Sequence, residues 1–376
     1  MSVAASVRPV TRGRLLLAVL LLSACSSRVA DRAQPSPSAT TAPPPVSATS
    51  AAPSPTPSPT PYVDRTKVPA GFAPVSFSFV SDRTGWVLGT VPCAGAAGCP
   101  ALAVTRDGAT TFKAAKAPAA GATQIRFAGL SDAWAWSARA LQSTHDGAAT
   151  WSGVALLEGA TVVDLATGGG RTWLVTQDAK GLQTLSSTVD DADAFAPVKG
   201  LVLPEGQARV VLSGSAVLVP VAAAALEARP ALLVSTDGTA FAERELPCDR
   251  GDKPLLAAVR PYALRLVCAF QDTADGPQRK TAWASNDLGT TWTQVRSPSP
   301  YAVFAVAATT RGTFVADTLG VRVSTDGGRT WRTTIGWPSG SGRDLGMISD
   351  ALGLVRYGTQ LRVTRDGAES WAPLTF

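Results

Sequence analysis

Ser285-Asn286-Asp287-Leu288-Gly289-Thr290-Thr291-Trp292 and Ser324-Thr325-Asp326-Gly327-Gly328-Arg329-Thr330-Trp331 are two copies of one octapeptide, Ser-x-Asp-x-Gly-x-Thr-Trp. The same frame recurs with small changes at Thr105-Arg106-Asp107-Gly108, leading to Thr111-Phe112, at Thr144-His145-Asp146-Gly147, leading to Thr150-Trp151, and at Thr364-Arg365-Asp366-Gly367, leading to Ser370-Trp371. Two copies are degraded. Ser235-Thr236-Asp237-Gly238-Thr239-Ala240-Phe241 is one residue short, and Thr188-Val189-Asp190-Asp191 reaches Phe195 without a glycine.

The chemistry of the octapeptide is that of a tight turn. A carboxylate accepts hydrogen bonds from backbone N–H groups within a hairpin, and glycine one or two positions later supplies positive φ. Ser or Thr two residues before the acid can bridge the hairpin, and the aromatic residue after it buries a large ring. Asp107, Asp146, Asp190, Asp237, Asp287, Asp326 and Asp366 are therefore read as structural acids and not as catalytic ones. Their separations are 39, 44, 47, 50, 39 and 40 residues, the repeat length of a four-stranded propeller blade. From about residue 70 the chain consists of short β-type runs between Gly/Asp/Ser turns. The expected fold is all-β: a seven-bladed β-propeller of four-stranded blades spanning 62–376, each acid lying between the third and fourth strands of its blade. Leu345 to Ile348, Leu354 to Tyr357, Gln360 to Val363 and Trp371 to Phe376 supply four strands to the last unit, so no strand need be borrowed from the other terminus. One exception to the β character is the alanine-rich Val221 to Arg229, expected to form a helical turn or two.

Residues 1–24 read as an export signal. Arg8, Arg12 and Arg14 precede an apolar run from Leu15 to Leu22, far short of the roughly 20 residues a spanning helix needs. Leu22-Ser23-Ala24-Cys25 resembles the lipobox of bacterial lipoproteins, which implies diacylglycerol on Cys25. Residues 25–61 hold ten prolines among Ser, Thr and Ala, a composition that cannot bury apolar surface and favours an extended, disordered linker. The expected location is the extracytoplasmic side of the cell membrane, reached through the lipid anchor alone.

Charge points the same way. Loss of the leader removes three of the basic residues behind the formal charge of +6, and no Lys/Arg run occurs elsewhere, which argues against nucleic acid as a partner. With Cys25 lipidated, four of the five cysteines remain. Spacing alone does not assign their pairing, but local topology favours Cys93 with Cys99 and Cys248 with Cys268 of the three possible connectivities. Metal binding is disfavoured by a single histidine, His145, read as an exposed turn residue, and by the absence of Cys-x-x-Cys. No cofactor motif is present.

The octapeptide resembles the Asp-box, or bacterial neuraminidase repeat, of sialidases, sortilin-type receptors, xyloglucanases and photosystem II assembly-factor-like propellers. The assembly-factor resemblance implies a monomeric, non-enzymatic scaffold that binds an envelope protein or glycan. The sialidase resemblance implies the alternative, a glycoside hydrolase with an arginine clamp and a tyrosine nucleophile. The early Arg-Ile-Pro segment of sialidases is missing, and Tyr262 beside Arg260 is the one tyrosine near an expected inner strand; the pair is a candidate for the ligand face, although a lone Arg-Pro-Tyr is more often a turn at a strand end. Xyloglucanases place their acids between two propellers, whereas one is expected here. Binding is expected on the face opposite the octapeptides, with candidate loops at Cys93 to Cys99, Glu245 to Lys253, Phe270 to Arg279, Arg296 to Tyr301 and Trp337 to Arg343. Trp337 is read either as a stacking platform or as packing beneath its loop, and Tyr301 as a further candidate.

Overall fold

The structure, a computed structural model, describes residues 67–94, 96–270, 280–337 and 342–376. The expectations for residues 1–66, including the signal segment, Cys25 and the linker, lie outside the described residues.

Seven antiparallel sheets follow one another along the chain, at residues 73–115, 124–154, 161–197, 206–244, 252–295, 303–336 and 342–373. Each is built from consecutive strands; in the first sheet these are Ala73–Phe79, Gly85–Cys93, Ala96–Thr105 and Lys113–Ala115. The molecule is thus a seven-bladed β-propeller, and no helix occurs among the described residues. The alanine-rich stretch is a correction to the expectation: Ala216–Ala223 is a strand, and a turn closed by the Ala228 N–H on the Ala225 carbonyl follows it. Pairing of that strand with Ala231–Ser235 and the inner strands satisfies a backbone that a helical turn would have left idle.

Adjacent blades are held together by apolar side chains, and each of the seven interfaces carries its own buried cluster. Trp86, Leu88 and Val104 of blade 1 meet Ile125 and Phe127 of blade 2, and Trp134 and Leu141 meet Leu165 and Leu174 across the next boundary. The pattern continues round the ring. Second strands are covered on both faces, which is why they read as unbroken apolar runs such as Ala133–Trp136.

The ring closes without an exchanged strand. Blade 1 contributes Phe72, Val87 and Phe112 to the closing cluster, and blade 7 contributes Leu354, Val363 and Phe376. The Phe376 ring lies 4.6 Å from Phe72 and 4.7 Å from Phe112. Arg365 donates to the Ala109 carbonyl at 2.6 Å across the same seam. Both disulfides form, Cys93–Cys99 and Cys248–Cys268. Neither crosses the seam: the first joins the second and third strands of blade 1, and the second ties the segment before blade 5 to that blade's second strand. Apolar packing, and not a covalent link, therefore seals the ring.

Candidate functional site

The two faces of the ring differ in chemistry. One carries the loops between first and second strands and between third and fourth, including the octapeptides. The Asp287 carboxylate accepts from the Ser285 hydroxyl at 2.8 Å, the Thr291 N–H at 2.9 Å and the Thr291 hydroxyl at 2.6 Å, and the Ser285 hydroxyl accepts from the Gly289 N–H at 2.8 Å. The same set recurs around Asp107, Asp146, Asp326 and Asp366. Both residues after the acid adopt positive φ, as at Gly108 (74°) and Ala109 (63°) or Leu288 (56°) and Gly289 (81°). One glycine per turn is thus the minimum, and the second left-handed position is left to a small residue or a strained one. The turns also clamp blades: the Trp151 and Trp331 indoles donate to the Lys116 and Arg296 carbonyls of the preceding segments, each at 2.9 Å.

Hydrogen bonding holds these acids ionised. The Thr291 hydroxyl and N–H keep Asp287 at about 2, and the Thr239 N–H does the same for Asp237. Desolvation pushes Asp107 and Asp366 upward, but the hydrogen bonds of Thr111 and Ser370 outweigh it and hold both at about 2. Depressed folded-state values contribute stability that is present above the ordinary aspartate value of 3.8 and is lost as pH falls towards about 2. We expect cooperative destabilisation between about pH 4 and about pH 2, followed by tryptophan fluorescence against urea. A flat stability over that window would contradict the role of the turns.

Asp190 departs from the set. Its carboxylate accepts from the Thr172 hydroxyl of its own blade at 2.8 Å, and burial raises it. Its turn is closed by the Thr188 hydroxyl on the Ala192 carbonyl. Nearby, His145 is not a free turn residue: Nδ1 lies 2.8 Å from Asp132 and Nε2 3.3 Å from Asp193, joining blades 2 and 3. Desolvation would lower it, but the two carboxylates prevail and raise it above 6.5. Its contribution is fully present below pH 6.5 and lost as pH rises through the raised value. His145→Gln is expected to flatten the stability profile across neutral pH in urea melts, and an unchanged slope would count against the bridge.

Arg260 and Tyr262, proposed with the ligand face, lie on this turn face instead. They close the first hairpin of blade 5, where the Tyr262 carbonyl accepts from the Leu288 N–H at 3.0 Å. Strand order decides this, since a first-to-second connection opens on the octapeptide side.

The other face carries the second-to-third connections and the blade-to-blade linkers. Trp337 belongs there but is 8% exposed, stacked on Tyr357 at 5.1 Å with its indole donating to the Thr318 carbonyl at 3.1 Å. It packs between blades 6 and 7 with Val321 and Val355. Tyr301 is partly exposed in the linker entering blade 6. The remainder of the expected loop Phe270 to Arg279 lies outside the described residues, as do 338–341.

Between the faces, all seven innermost strands line a channel with a cavity of about 540 Å³. The sequence reading missed its polar groups: Arg126 on Gln124–Phe127, Asp164 on Thr161–Gly168, Arg209 between Gly206–Ala208 and Val211–Ser213, and Asp344 on Gly342–Met347. Arg209 sits where Pro220, opposite it, has no N–H to give the inner strand. The strand breaks there, and the Val210 N–H goes to Asp164 at 2.8 Å. Arg126 donates to the Phe77 and Ile125 carbonyls and lies over Trp136, 5.9 Å from the ring. Desolvation lowers Arg126 against the fields of Asp164 and Asp344, and desolvation raises Asp164 against those of Arg209 and Arg126. Asp344 is paired with Arg356 at 2.8 Å. Lys253, at the mouth, is lowered by desolvation and then by Arg209. Among the described residues, the side chains of Arg209 and Lys253 make no hydrogen bond or ion pair. The cavity lining carries two arginines and two aspartates, and Lys253, close enough to Arg209 to feel its charge, adds a third cation at the mouth.

No family model matches the sequence, and no curated protein matches it. Solved structures do. YCF48 bound to D1 peptide aligns with a TM-score of 0.58 at 17% identity, over 82% of this chain and 99% of that one. An ancestral GH74 enzyme gives 0.58 at 10% identity, over 84% of this chain and 47% of that one. The β-propeller domain of the Trilobed protease from Pyrococcus furiosus gives 0.57 at 8% identity, over 84% and 97%. At these identities the likeness is one of fold, and propellers of this shape include binding and hydrolytic proteins.

Proposed function

We propose that this chain is a cell-envelope lipoprotein of the Asp-box type, anchored at Cys25, whose propeller binds a segment of an envelope protein at the channel mouth and acts as a scaffold. The observation that carries the reading is the channel itself: Arg209 lines it with no hydrogen bond or ion pair among the described residues, and Lys253 stands near Arg209 at the mouth, on the face free of turn staples. YCF48, of similar fold, has been solved with a peptide bound. A photo-crosslinking residue at Tyr301 or Phe304, at the mouth, is expected to capture a protein in intact cells, and the same residue at Tyr262 is not. Equal capture from both faces, or none from the mouth, would refute it.

A second reading has one observation behind it. Asp164, raised by burial, and Asp344, paired with Arg356, line the same channel, and two carboxylates facing one cavity are what glycoside hydrolysis uses. Activity on a glycoside panel that disappears in Asp164→Asn would establish it in place of the scaffold.

A further inference from the structure

Four large apolar side chains stand more than half exposed on the mouth face: Leu157, Leu182, Val202 and Leu226. They come from successive connections, the linker from blade 2 to blade 3, the second-to-third hairpin of blade 3, the linker from blade 3 to blade 4 and the corresponding hairpin of blade 4. Of the other exposed large apolar residues among those described, Leu130, Val189 and Tyr262 are on the turn face, spread over blades 2, 3 and 5, and the less exposed Tyr301 and Phe304 are at the mouth where blade 6 begins. Among the described residues, the mouth-face apolar side chains that are more than half exposed therefore fall on blades 2 to 4 and the linkers between them. Large apolar side chains exposed on successive connections mark an interaction site.

Two cations of the channel, Arg126 and Arg209, fall in the same sector, and Lys253 borders it near Arg209. Arg126 comes from blade 2, Arg209 from blade 4 and Lys253 from blade 5, while Asp164 of blade 3 is held by the Val210 N–H. Unpaired guanidinium and ammonium groups in a partly desolvated channel are complementary to a carboxylate, which two or three of them can hold with charge-assisted hydrogen bonds. The apolar side chains on the same face suit aliphatic or aromatic side chains of the same ligand.

We propose that the mouth recognises an extended acidic-apolar peptide segment, with a carboxylate seated against Arg209 and Lys253 beside Arg126 and neighbouring apolar side chains lying on Leu157, Leu182, Val202 and Leu226. This rests on the reading of the mouth as a protein-binding site and specifies what that site selects. The test is selection of a displayed random dodecapeptide library on the full-length protein, with polygalacturonate as a non-peptide polyanion for comparison. The expected result is enrichment of peptides with Asp or Glu close to Leu, Ile or Phe, bound about tenfold more weakly by Arg209→Gln or Lys253→Gln. Leu182→Ser with Leu226→Ser is expected to relax the apolar preference and keep the acidic one. Melting curves of all variants separate these effects from unfolding. Enriched peptides without an acid, or an affinity indifferent to Arg209 and Lys253, would overturn the inference and leave peptide binding standing. Binding of polygalacturonate with no peptide enriched would overturn both.

Discussion

Trp86→Ala is expected to lower the free energy of unfolding by about 3–5 kcal/mol, the range for emptying a buried aromatic site. Trp86 is fully buried and stacks on Phe127 of the next blade, with ring centroids 3.6 Å apart and planes within 4°. The ring is packed from Leu88, Val104 and Ile125 as well, so the cavity has rigid walls. Blade 1 would lose its grip on blade 2 while its own hydrogen-bonded ladder stayed intact. Urea unfolding should show a lower midpoint with an unchanged slope. A loss below about 1 kcal/mol would mean that the interface collapses to fill the gap, and that blade contacts contribute less than the buried clusters imply.

Asp317→Ala should cost a similar amount for a different reason. Asp317 has no exposed surface and accepts from Ser299 Oγ at 2.6 Å, Arg322 Nε at 2.6 Å, Leu319 N–H at 2.7 Å and Gly320 N–H at 2.9 Å. Removing one partner of a buried ion pair typically costs about 3–5 kcal/mol, because the other charge is stranded. Replacing both, as Asp317→Leu with Arg322→Met, should recover much of the loss. A double variant no more stable than the single one would place the effect in the backbone N–H groups. Lys280 provides a second readout. Burial holds it at about 8 against the opposing pull of Asp317, so its value should fall further in Asp317→Ala.

The fold was legible because its turns carry local chemistry. Ser285 to Trp292 specifies a hydrogen-bonded hairpin within eight residues, and repetition converts that local fact into blade number. The blade that lost the glycine shows the limit, since Asp190 was counted with the rest and its carboxylate turns to Thr172 instead. The channel was illegible for the converse reason. Arg126, Asp164, Arg209 and Asp344 lie on four different blades with no motif to join them, and only the ring brings them together. The available signal was one charged residue inside an apolar inner strand, as in Gln124-Ile125-Arg126-Phe127 and Val162-Val163-Asp164-Leu165. Residue type left two places open. Trp337 was open to stacking on a ligand or to packing, and Tyr357 and Thr318, which account for its ring and its N–H, decide for packing. Arg260 and Tyr262 were open to a ligand-face reading and to a strand-end turn, and hairpin order makes them the turn.

Because every sheet is one uninterrupted stretch of chain and Phe72 touches Phe376, the starting point of the ring is a matter of convention. Joining the two ends across that contact and cutting the chain in the connection between residues 115 and 124 would reorder the blades in sequence while leaving each ladder whole. A circular permutant of this kind retains the same neighbours around the same axis, so new termini can be moved to any sector of the rim without dismantling a sheet.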